Sequence, residues 1–167
     1  MTARSTRTPF GAELERHVDA LLVSHEAWLA AIAEHRTAIS HADAVAIDVA
    51  MRAQVAQRDN VIQLQTAVAT LLQDDGGANG ATIRAAAATL PEPARSRVTE
   101  KAVRLREMLA RVQREQSVVH GASRALLAHM RGVITQVAAA MNHAGVYGRE
   151  GKVCAGPVVV SALDIRH

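Results

Sequence analysis

Aromatic side chains are nearly absent from this sequence. They make up 2% of 167 residues: one Phe, one Tyr and one Trp. A stacked-base platform for single-stranded nucleic acid needs several, so nucleic acid is only weakly signalled and is not the expected partner. The single cysteine, Cys154, leaves no partner for an intramolecular disulfide and no Cys-x-x-Cys pair for a metal. No stretch reaches about 18 uninterrupted apolar residues, the length that reads as a membrane span. Residues 1–17, MTARSTRTPFGAELERH, lack the apolar run of a secretory signal, so the expected location is cytoplasmic. Only four prolines interrupt the chain.

What fills the sequence is alanine and aliphatic residue at helical spacing. Apolar residues are 49% of the chain. Alanine favours helix and lets helices approach closely, but each one buries little area. The length suits one domain, residues 1–167, with loose ends expected at 1–9 and 145–167.

From Phe10 a helical pattern starts. Leu14, Val18, Leu21, His25, Trp28 and Ile32 recur at three- and four-residue steps, and Ile39 follows seven residues on. Ser40-His41-Ala42-Asp43 supplies capping side chains and predicts a break. A second helix is predicted from Ala44 to Leu72, with a polar middle, QRDNVIQLQ. The run QDDGGANG at 73–80 is a stop. A short alanine-rich segment follows, and then PEPARSRV, whose proline suits the first turn of a new helix.

The third long helix carries the clearest signal. Val98, Ala102, Leu105, Leu109, Val112, Gln116, Val119, Ser123, Leu126, Met130, Val133, Val137 and Ala140 alternate in steps of four and three. That is a heptad seam of about six repeats. Gln116 and Ser123 are its polar members; they either set register or mark a less buried middle. The helix is expected to end after Asn142, with Gly145 at a left-handed C-terminal position. The tail, PVVVSALDI, is extended in character.

Charge divides unevenly. Residues 1–73 hold 6 basic and 8 acidic side chains, and residues 98–144 hold 7 basic and 3 acidic. The second half therefore faces either an acidic partner or the first half of its own fold.

No catalytic, cofactor or metal constellation assembles. The eight histidines form no His-x-x-x-His, His-Glu-x-x-His or Glu-x-x-His pair. Their expected places are helix edges or solvent. A histidine on a helix can accept a phosphoryl group, and His17 and His129 are the two with suitable neighbours; a phosphotransfer domain is thus one alternative. The glycine-rich stretch NHAGVYGREGKVC, 142–154, is no phosphate loop. Gly151-Lys152 is followed by Val153 instead of a hydroxyl residue, the position of the first glycine is Val146, and a helix precedes it where a strand is required. It is a turn, carrying Tyr147 at its start.

The residues YGREGKV at 147–153 and LDIR at 163–166, behind long helices, resemble the FlgN family of flagellar type III export chaperones. LLVSHEAWLAAIAEHRTAI at 21–39 is similar to the family's first helix, and Arg58 stands where its second helix carries an arginine. The resemblance implies an all-α fold: an elongated antiparallel hairpin or bundle of long helices with a Gly-rich turn and a short extended C-terminal tail. It implies a cytoplasmic, non-enzymatic chaperone, without cofactor or membrane insertion. Its clients would be the C-terminal amphipathic helices of hook–filament junction proteins, delivered to the export gate. Client-groove candidates are Val112, Val119, Leu126, Met130, Val133 and Val137, and contact with the gate component falls on Tyr147, Gly148 and Gly151. A generic coiled-coil adaptor shares all the helical features, and the same seam offers a route to a homodimer.

Overall fold

A computed structural model describes residues 7–76 and 82–144. They form an all-α fold of four helices: α1 Arg7–Ser40, α2 Ala44–Asp74, α3 Ile83–Ala88 and α4 Ala94–Ala144. The helical pattern begins three residues before Phe10. Pro9 stands in the first turn of α1, where no intrahelical N–H is required. The extended tail expected beyond α4 lies outside the described residues, as does Gly145.

The break at Ser40–Asp43 is made by two local devices. Ala42 takes a left-handed φ of 51°. Its N–H donates to the Ile39 carbonyl at 3.0 Å, and the Asp43 N–H donates to the Ala38 carbonyl at 3.0 Å. These two bonds close α1 in a Schellman motif. Asp43 then opens α2: its carboxylate accepts from the Val45 and Ala46 N–H groups, both at 3.0 Å. One residue thus ends one helix through its backbone and starts the next through its side chain. Thr82 caps α3 in the same manner, accepting from the Ala85 N–H at 3.1 Å.

The chain divides into two compact units, Met1–Ala122 and Ser123–His167, with α4 contributing to both. In the first unit α2 folds back along α1. The larger core joins Leu14, Val18 and Leu21 of α1 with Val61, Val68 and Leu72 of α2, Leu90 after α3, and Val98 and Leu105 of α4. Gly11 lies against Leu90, where an added Cβ would meet a leucine methyl at 3.2 Å. A smaller cluster joins Ile32 to Val112 and Val119. Early α4 therefore lies beside early α1 and later α4 beside later α1, so within this unit the two run parallel, with α2 antiparallel to both. Trp28 packs against both clusters.

Salt bridges run along the α1–α4 contact in the same order. Arg97 and Lys101 reach Glu15, Lys101 also reaches Asp19 at 2.7 Å, Arg104 pairs with Glu26 at 3.0 Å, and Arg36 with Glu115 at 3.2 Å. Part of the basic excess of α4 is thus answered by the chain's own acidic first half.

Two histidines depart from the expected edge positions. His25 and His35 are buried. His25 sits on the apolar stripe of α1 and satisfies Nδ1 on its own helix, against the Leu21 carbonyl at 2.6 Å. His35 Nδ1 lies 2.7 Å from Gln54 Nε2 of α2. About three turns earlier on α1, buried Ser24 accepts at Oγ from Asn60 at 3.0 Å, so the polar middle of α2 meets a buried polar group of α1.

Candidate functional site

Along α4 a covered part gives way to an uncovered part, and the heptad columns show where. Let Val98, Leu105, Val112, Val119, Leu126, Val133 and Ala140 be the d column. Ala102, Leu109, Gln116, Ser123, Met130 and Val137 are then a. Through Val119 every d residue is buried and every a residue is half-buried. The flanking g residues Lys101, Met108 and Glu115 are half-buried too, while the e residues Thr99, Arg106, Gln113 and His120 face solvent.

The six groove candidates fall on both sides of this division. Val112 and Val119 are 3% and 4% exposed, against α1. Their surface is already covered by the first unit's core and offers nothing to a client. Leu126 is half-buried. Met130, Val133 and Val137 are exposed, at 51%, 44% and 53%. In the second unit only these three of the six present open apolar surface.

Sequence reasoning missed the residues that widen this face. Leu127, Ile134 and Met141 are exposed, and all belong to the e column. That column is polar at 99, 106, 113 and 120, then apolar at 127, 134 and 141. The switch is visible in the sequence once the heptad frame is set, and it marks where α4 begins to present a different face. Val133, Ile134, Val137, Ala138 and Met141 together line a shallow apolar concavity.

The electrostatics of this segment are one-sided. Residues 116–144 contain no Asp or Glu. Arg124 and Arg131, one heptad apart in the b column beside e, are exposed and have no ion-pair partner among the described residues. The opposite edge, the g column, carries exposed His129 and Gln136. An amphipathic face about 100° wide, edged by fixed positive charge, is suited to a helix carrying apolar residues at i, i+3, i+4 and i+7. Burying six half-exposed aliphatic side chains contributes about 1 kcal/mol each.

Among the concavities of the first unit, one of about 240 Å³ is lined by His25, Trp28, Gln65, Leu109 and Gln116 among others. It accounts for the half-buried state of Gln116: the seam there borders a cavity instead of closing on a neighbour. Among the described residues no three His, Cys, Asp or Glu side chains converge as a metal site would require. Of the two phosphotransfer candidates, His17 is half-buried and His129 exposed. Tyr147, Gly148 and Gly151 lie outside the described residues.

No protein-family model matches the chain, and neither a curated protein nor a solved structure does. No helix among the described residues is long and apolar enough to cross a membrane.

Proposed function

We propose that the chain is a helix-binding export chaperone of the FlgN type. On this reading it is cytoplasmic and non-enzymatic, captures C-terminal amphipathic helices of flagellar hook–filament junction proteins, and brings them to the type III export gate. The observation that carries this reading is the exposed apolar face of α4 at residues 127–141, on which Leu127, Met130, Val133, Ile134, Val137 and Met141 are uncovered. Its physical rationale is that an uncovered stripe at helical period, edged on one side by arginines, gains stability by taking up another helix. The tail resemblance supplies the client and gate identities, with Tyr147 as the gate contact.

The experiment is co-purification with hook–filament junction proteins, followed by mass measurement of the complex. A stoichiometric complex is expected, and Met130→Asp with Ile134→Asp should dissolve it while helicity by circular dichroism is kept. Failure to form any complex with junction proteins sinks the client assignment.

A further inference from the structure

The face at residues 126–141 is wider than the seam of a two-stranded coiled coil. A two-stranded seam uses the a and d columns, and its flanks are polar. Here d (Val133), a (Met130, Val137) and e (Leu127, Ile134, Met141) are all apolar and exposed. Three adjacent columns span the ~100° stripe of a helix that packs against more than one neighbour. One docked helix covers two columns and leaves the third in water.

The charge pattern selects the sign of the partner and breaks its symmetry. Arg124 and Arg131 line only the e side, and no acidic residue occurs between 116 and 144. A second copy of this segment therefore brings arginines without carboxylates, and a two-stranded pairing with it leaves Leu127, Ile134 and Met141 uncovered. We propose that this face docks an acidic helical hairpin: two apolar ridges side by side, with Asp or Glu along the single edge that meets Arg124 and Arg131. This rests on the helix-binding function proposed above and specifies the partner's form, two helices and not one.

The test uses the intact chain and labelled synthetic probes, read by fluorescence anisotropy. The probes are a helical hairpin edged with Glu, a single helix edged with Glu, and the same hairpin edged with Lys. The Glu-edged hairpin is expected to bind at least tenfold tighter than either of the others, and to weaken as salt is raised. In Arg124→Glu with Arg131→Glu the preference should invert toward the Lys-edged hairpin. Met130→Asp, on an already exposed position, should abolish binding without loss of helicity.

Each other result overturns the proposal in a distinguishable way. Equal binding of single helix and hairpin leaves the helix-binding reading standing and removes the two-ridge partner. Indifference to edge charge removes the acidic partner. Binding of none of the probes, together with full capture of junction proteins insensitive to Met130→Asp, places the client elsewhere on the chain. A dimer in sedimentation that Met130→Asp dissociates makes the occupant a second copy, and uptake by phosphatidylglycerol vesicles in preference to the hairpin makes it a lipid surface. Probe binding that appears only after Val158, Val159 and Val160 are replaced by serine makes it the chain's own C-terminal segment.

Discussion

Arg97 grips Glu15 at both carboxylate oxygens: Nε donates to Oε1 and Oε2 at 3.0 and 3.2 Å, and Nη2 to Oε2 at 3.0 Å. Lys101 adds a further bond to Oε1 at 2.9 Å. The hydrogen bonds from Arg97 and then Lys101 hold the Glu15 carboxyl well below its usual 4.5, at about 2. A depressed carboxylate pKa stabilises the fold above the unfolded value and loses that contribution as pH falls through the folded one. Stability should therefore drop between about pH 4.5 and 2. Glu15→Gln is expected to flatten this part of the curve and to cost about 1 kcal/mol at neutral pH, read by urea denaturation.

His35 gives a second pH dependence at a different place on the scale. Burial lowers its pKa below 6.5, because the charged ring is poorly solvated there. The unfolded chain takes up this proton first as pH falls, so acid favours unfolding. The melting temperature should decline as pH drops below about 6.5 and through the lower folded value. In His35→Leu the slope arising from this group should vanish.

Ala42 stands in a conformation that costs an L-residue roughly 1–2 kcal/mol and glycine almost nothing. Part of that gain is offset by the greater freedom of glycine in the unfolded chain. Ala42→Gly should raise stability by about 0.5–1 kcal/mol, visible as a higher urea midpoint with unchanged slope. In contrast Asp43→Ala should cost about 1 kcal/mol, through the lost cap of α2.

Val112 and Val133 occupy the same heptad column and have opposite fates. Val112→Asp places an unpaired charge in the core shared with Ile32 and should destabilise the first unit by more than about 3 kcal/mol. Val133→Asp is exposed and should change stability by no more than about 0.5 kcal/mol while weakening client binding. If Val133→Asp left client binding intact, the face would have no part in recognition.

Tyr147→Ala separates the two partners of the proposed chaperone. Affinity for junction proteins should stay within twofold, while capture by the export gate component should be lost. A parallel loss of both would assign Tyr147 to the client site.

Much of the helical layout was legible because its signals are local. The cap at Asp43, the stop at 73–80 and the period of the seam each act within a turn or two. The difference between Val112 and Val137 is not local. Both are heptad valines, and only the reach of α1 and α2 decides which is covered. His25 and His35 show the same limit. Histidine averages to the surface, and its burial here depends on a carbonyl of its own helix and on Gln54 across the hairpin. The e-column change at Leu127 was present in the sequence, but it gains meaning only once the covered face of α4 is known.

Trp28 is the one tryptophan of the chain and the partly buried side chain that packs against both hydrophobic clusters. The two clusters are therefore not separate reserves of stability. Loosening the ring exposes the rim of each at once, so the larger and the smaller should melt in a single transition. Its indole emission then reports that transition directly, and Trp28→Ala is the substitution that would let one cluster open while the other holds.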